Sequence, residues 1–124
     1  MKGAVYMGQA QQILGRGDII LVSSSPKPYG NNEQKGKRPW LVVSQKLLNQ
    51  TSPFVLAIPF TTTFRKYPLV YNWSENHPNS VTKGVLLCNQ LTALDIKNRD
   101  WVLLEQVEVP VEVDNIIQAI LGYK

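Results

Sequence analysis

Two stretches of this chain carry side chains suited to handling phosphate. The first is GNNEQKGKRPWLVVS, residues 30–44, where Lys35, Lys37 and Arg38 surround one carboxylate, Glu33, just ahead of an apolar run. Guanidinium is a planar fork matched to phosphate oxygens, and it stays charged at any working pH. Pro39 pushes the Arg38 backbone towards extended geometry and limits where its side chain can point. Gly30 and Gly36 allow sharp turns and a close approach by a ligand backbone. Taken alone, the pattern fits either a phosphate-binding loop or a structural Glu33–Arg38 ion pair. The second stretch is IPFTTTFRKYP, residues 58–68, with hydroxyls from Thr61, Thr62 and Thr63, cations from Arg65 and Lys66, and aromatic faces from Phe60, Phe64 and Tyr67. Cations interleaved with aromatics suit single-stranded nucleic acid, where phosphates pair and bases stack. The same threonines also suit an ordinary strand end.

Charge distribution supports an anionic partner. The net charge is +4, but residues 1–70 hold nine Lys/Arg against only Asp18 and Glu33, a balance of +7, whereas residues 71–124 hold four against seven, a balance of −3. A basic half on one small domain is the electrostatic footprint expected of a protein that meets a polyanion, although a solvated basic surface gives the same count. Several chemistries are excluded by composition. Cys88 is the one cysteine and His77 the one histidine, which removes an intrachain disulfide, a Cys/His zinc cluster and a paired-His metal site within one chain. No secretory leader or membrane-length apolar run is evident, so a cytoplasmic protein without a membrane partner is expected.

These groups need a scaffold, and the spacing predicts a mainly β one. Strands are expected over residues 17–23, 39–44, 54–60, 68–73, 84–90 and 101–105, separated by Gly-, Pro-, Asn- and Ser-rich turns. A single helical turn is expected over Leu94–Asp100. Val113, Ile116, Ile117, Ile120 and Leu121 form one apolar stripe of a closing helix, with Pro110 in its first turn, Glu112 and Asp114 complementing its dipole and Gly122 ending it. The domain plan is a loosely ordered leader over residues 1–15 and one domain over 16–124. Short strands with one helix imply a small, partly closed β-barrel or a tightly curled sheet capped by that helix. Trp40, Trp73, Trp101 and Cys88 are read as core or interface residues, and His77 as a solvated loop residue.

Taken together the motifs resemble a family. Gly17-Asp18-Ile19, Glu33-Gln34-x-Gly36-x-Arg38-Pro39, Pro59-Phe60-Thr61-Thr62, Gly84-Val85…Asn89-Gln90 and Leu94-Asp95…Arg99 are similar to the MazF/PemK toxins, the endoribonucleases of type II toxin–antitoxin modules. The likeness spans residues 16–122, and its most specific element is Glu-Gln-x-Gly-x-Arg-Pro. It implies an SH3-like barrel with short helices and a C-terminal helix, assembled as a homodimer. It also implies sequence-specific, metal-independent cleavage of single-stranded RNA by 2′-OH attack, with no cofactor. The catalytic residues carried over are Arg38, Thr61 and Glu33. RNA contacts are expected from Gln34, Lys35, Lys37, Thr62, Arg65, Lys66, Asn89 and Gln90. One plasmid-borne branch assigns acid–base work to a loop histidine and an Arg-x-Asp pair; the matching positions here are Asn32, Leu87 and Asn89, so that assignment does not transfer.

The resemblance further implies a cognate antitoxin whose acidic, partly disordered tail competes with RNA for the cationic groove. Two alternatives stand beside the nuclease. A non-catalytic SH3-like RNA-binding module would use Arg38, Arg65 and Lys66 for affinity alone. A gyrase-targeting toxin of similar fold would depend on its extreme C-terminus, which here reads Leu121-Gly122-Tyr123-Lys124.

Overall fold

The computed structural model describes residues 12–23, 37–63 and 69–123. In chain order the elements are β1 (Asp18–Ser23), β2 (Lys37–Val42), α1 (Lys46–Asn49), β3 (Phe54–Thr61), β4 (Val70–Asn72), α2 (Trp73–Asn76), β5 (Val85–Leu87), a 3₁₀ turn (Cys88–Gln90), β6 (Thr92–Asp95), β7 (Trp101–Gln106) and α3 (Val111–Leu121). All pairings are antiparallel, in the order β4-β5-β3-β2-β1-β7, with β6 also paired to β3. This is the mainly β architecture with a closing C-terminal helix that the strand pattern predicts.

β3 organises the sheet. Its first half pairs with β6 (Phe54 opposite Asp95, Ala57 opposite Thr92), and its last residues pair with β5 (Phe60 opposite Leu86, Thr61 opposite Val85). Two partners share one edge of one eight-residue strand, so the sheet has to bend where they meet. Strand alternation then feeds two apolar clusters. One gathers Leu14, Ile20, Val22, Val42, Val55, Ala57, Leu94 and Trp101; the other gathers Ile19, Leu41, Ile58, Phe60, Trp73, Leu86, Cys88 and Val113. Neighbours such as Ile19 and Ile20, or Leu41 and Val42, bury into opposite clusters, which is why these central runs are almost wholly apolar. A register shift between Ile19 and Ile20 against β7 marks a bulge that helps the edge strand curl.

α3 closes the second cluster with Val113 fully buried and Ile116 and Ile117 packed beside it. Its apolar stripe fades outward: Ile120 and Leu121 are exposed. Gly122 ends the helix at φ +85°, donating to Ala119, while Tyr123 donates back to Gln118. Arg16 ties the helix to the barrel through an ion pair with Asp114 and a 3.1 Å hydrogen bond to the Val43 carbonyl.

Several local expectations change. Leu94 and Asp95, the first residues of the stretch Leu94–Asp100 read as a helical turn, instead end the strand Thr92–Asp95, with Leu94 buried in the core and Ile96, two residues on, packed beside the same cluster. Asp95 then accepts from Lys97 N–H and from the Asn98 side chain, an Asx-type turn that competes with helix. The strand expected over 84–90 stops at Leu87, and the one expected over 68–73 gives way at Trp73 to α2, capped by Asn72 accepting from Glu75 N–H. α1 lies where no element was expected. Leu14, inside the segment read as leader, is 1% exposed, and its carbonyl accepts from buried Asn49. His77 is half-buried rather than solvated, stacked on Trp73 at 3.8 Å between centroids with Nε2 3.0 Å from the Tyr71 hydroxyl.

Candidate active site

The site forms where β2 begins and β3 ends. Trp40 lies opposite Pro59, Leu41 opposite Ile58 and Val42 opposite Ala57. Continuing that register outward sets Arg38 across from Thr61. Pro39 sits between β1 and β3 and faces Leu21. Proline cannot donate to a sheet ladder and is uncommon in a central strand. Its ring restricts the backbone of Arg38, the residue before it.

Around this pair is a cleft of about 230 Å³, lined by Lys37, Arg38, Pro39, Phe60, Thr61, Thr62 and Lys83. That is smaller than the roughly 300 Å³ lower bound of ordinary small-molecule pockets. Among the described residues lining it are three cations and no carboxylate. Arg38 is exposed and Thr61 half-buried. Thr61 Oγ1 accepts from the Thr63 N–H at 3.2 Å, which fixes the hydroxyl and leaves its proton directed elsewhere. A fork of guanidinium donors and a held hydroxyl lining one cleft can bind oxygens of one phosphate.

The third wall comes from the segment before β5. Gly84 has φ +118°, and a Cβ there would lie 2.4 Å from the Thr61 carbonyl oxygen. Only glycine lets this backbone pass so close to Thr61. Gly84 and Ser74 are locked together: Gly84 N–H donates to Ser74 Oγ at 2.7 Å, and Ser74 N–H donates to the Gly84 carbonyl at 3.0 Å. Just upstream, Glu105 Oε1 on β7 accepts from Ser80 Oγ, Val81 N–H, Thr82 N–H and Thr82 Oγ1, all within 3.1 Å. Ser80 Oγ in turn accepts from the Trp73 indole at 2.9 Å.

Burial alone would raise the Glu105 carboxyl, but these hydrogen bonds outweigh it and hold the group below the usual carboxylate range. A carboxyl depressed on folding stabilises the fold above its unfolded pKa and loses that contribution as pH falls through the folded value. The urea midpoint of Glu105→Gln should therefore lie below that of the wild type at neutral pH, with the gap shrinking in acid. A gap unchanged by acid would show that the carboxylate charge is not what holds residues 80–82.

Of the residues expected from sequence, Lys37, Arg38, Thr61 and Thr62 converge on the cleft. Asn89 and Gln90 do not line it; both are exposed on the 3₁₀ turn. Glu33, Gln34, Lys35, Arg65 and Lys66 lie outside the described residues. Lys83 was missed, although the Lys-Gly pair ahead of an apolar strand was a signal. Cys88 is fully buried and its thiol is pushed up to about 11 by that burial, which makes it a poor nucleophile. A larger hollow of about 1180 Å³ shares only Lys37 with the cleft and lacks the Arg38–Thr61 pair, so size does not mark the chemistry here. Among the described residues, no group of three or more His, Cys, Asp or Glu could hold a metal ion, and no helix is long and apolar enough to cross a membrane.

Comparison with known proteins agrees with the arrangement. The chain is 30% identical over 109 residues to Endoribonuclease PemK of Escherichia coli, covering 86% of this chain and 76% of that protein. Its fold matches a chain of the MazE-MazF crystal structure (Form-II) from Deinococcus radiodurans with a TM-score of 0.74 at 22% identity, over 92% of this chain and 100% of the other. It also matches an endoribonuclease in complex with its cognate antitoxin from a mycobacterial species, with a TM-score of 0.67 at 22% identity, over 90% and 97% of the two chains. Residues 15–120 match the family of PemK-like, MazF-like toxins of type II toxin-antitoxin systems, and with the scaffold and the Arg38–Thr61 cleft in place the chain belongs to that family.

Proposed function

We propose that this protein is the toxin of a type II toxin–antitoxin pair, an endoribonuclease that cuts single-stranded RNA at a specific sequence in the cytoplasm. The observation that carries this reading is a cleft that Arg38, Thr61, Thr62, Lys37 and Lys83 line together. The 2′-hydroxyl attacks the adjacent phosphorus, the P–O5′ bond breaks, and the products are a 2′,3′-cyclic phosphate and a 5′-hydroxyl. One proton leaves the 2′-oxygen and one is delivered to the 5′-oxygen. Arg38 holds donors where charge develops on the phosphorane, which is typically a large catalytic effect. Thr61 orients a nonbridging oxygen. Glu33 either accepts the 2′-proton or positions Arg38.

Charge and surface support the partners. The +7 balance of residues 1–70 suits RNA and also the acidic tail of a cognate antitoxin, which would compete for the same cations. Leu47 and Leu48 on α1 and Phe54 and Leu56 at the start of β3 are all exposed. They supply apolar surface for pairing two copies into a homodimer. The test is cleavage of a long single-stranded RNA in excess EDTA with the product ends identified. Cyclic-phosphate and 5′-hydroxyl ends are expected. A requirement for divalent metal, or 5′-phosphate ends, would overturn the mechanism, and RNA bound but left intact would make the protein a binding module.

A further inference from the structure

We propose that Lys83 is a substrate-binding residue, taking the RNA phosphate next to the one held by Arg38 and Thr61; this rests on the nuclease reading. Lys83 lines the same cleft as Arg38, Thr61 and Thr62, yet it comes from a different part of the chain. Its position in the fold is fixed on both sides. Thr82, before it, is buried and tied to Glu105 by two hydrogen bonds. Gly84, after it, is tied to Ser74 and pressed against Thr61. The backbone is thus held while the side chain is exposed.

The ammonium keeps one long hydrogen bond, 3.4 Å, to the Pro78 carbonyl. At that length the contact is weak, and a phosphate oxygen offers a charge-assisted replacement. Register explains why the phosphate is a neighbouring one. Thr61 lies opposite Val85, so continuing β3–β5 pairing outward sets Thr62 opposite Gly84 and places Lys83 one residue further from the Arg38–Thr61 layer. A single strand crossing from Arg38 towards this wall meets Lys83 at its next phosphodiester. Lysine suits that duty, since a flexible point charge follows a backbone without demanding one bidentate geometry.

A phosphate contact outside the reacting centre binds substrate and transition state alike. Its removal should therefore appear in KM rather than in kcat. It should also release one fewer counterion on binding. For single strands that lowers the slope of log affinity against log salt by about 0.7.

The experiment titrates wild type, Lys83→Gln, Lys83→Arg and Lys97→Gln with a fluorescent single-stranded RNA of mixed sequence, 2′-O-methylated throughout so that it cannot be cut. Binding is read from about 50 to 300 mM KCl, the range over which phosphate contacts dominate affinity. Lys83→Gln is expected to bind about five- to tenfold more weakly at the lowest salt, with the slope reduced by about 0.7, while Lys83→Arg restores both. Lys97→Gln, a cation outside the cleft, should keep the wild-type slope. On cleavable RNA, KM should carry most of the Lys83→Gln loss. A wild-type slope in Lys83→Gln, or a loss confined to kcat, would overturn the assignment. Because the probe is uncleavable, wild type that binds it but cuts no RNA would sink the nuclease reading separately.

Discussion

Arg38→Ala is expected to lower kcat for RNA cleavage by about a hundred- to a thousandfold, the range seen when one preorganised donor to a developing anion is removed. The size follows from position. Arg38 lies in the layer opposite Thr61, and Pro39 restricts its backbone before substrate arrives. Under the proposed mechanism, donors held beside the phosphorane before substrate arrives need no reorganisation in the transition state. The loss should therefore fall on kcat and kcat/KM together, with a smaller change in KM. Stability should hardly change, because the Arg38 side chain is exposed. Arg38→Lys separates charge from shape: if the fork is what matters, lysine recovers only a small part of the lost rate. Single-turnover cleavage, with thermal melts as a folding control, makes the comparison. Near-wild-type turnover by Arg38→Lys would mean that a point charge suffices.

Gly84→Ala carries a large expected effect on stability. An added Cβ would sit 2.4 Å from the Thr61 carbonyl oxygen and 3.0 Å from its carbon, on a backbone at φ +118°. Those neighbours are strand backbone, so nothing can swing aside cheaply. A loss of about 2–4 kcal/mol in unfolding free energy is expected, in the upper range for backbone strain plus overpacking. Gly17→Ala provides the contrast. Its Cβ would lie 2.1 Å from the Val107 carbonyl oxygen at φ +98°, at the start of β1 and away from the cleft. Both variants should shift the urea midpoint by similar amounts. Assayed cold, where both stay folded, Gly84→Ala should also lose cleavage because Thr61 is displaced, whereas Gly17→Ala should cut as the wild type does. A wild-type midpoint for Gly84→Ala would show that the segment before β5 adapts without cost.

Features written in local pattern were legible in the sequence, and features that depend on distant partners were not. The run Ile19–Val22, the strand at residues 54–60 and the i, i+3, i+4 stripe of the C-terminal helix each announce their element within a few residues. Arg38 and Thr61 were singled out from residue type, motif and family resemblance, and the structure brings both to one cleft. Their mutual approach depends on a β2–β3 register that no short window encodes. Lys83 and Glu105 were missed for the same reason. One lines the cleft only because β5 pairs with the end of β3, and the other acts on residues 80–82 across 23 to 25 positions of chain. β6 was misread because only one of its four residues, Leu94, is buried, and so short a run is weak as a period.

β3's shared edge has a consequence for how this protein is made. The strand presents Thr61 early in synthesis, but the third wall of the cleft arrives only with residues 83 and 84, and the anchor that steadies it only with Glu105. β1, nearly the first strand out, must wait for β7, since Asp18 pairs with Gln106. Such non-local pairings form late, after the intervening chain has been closed into loops. A half-made chain emerging from the ribosome thus carries the Arg-Pro and Thr-Thr motifs before residues 83, 84 and 105 have arrived to complete the wall beside them.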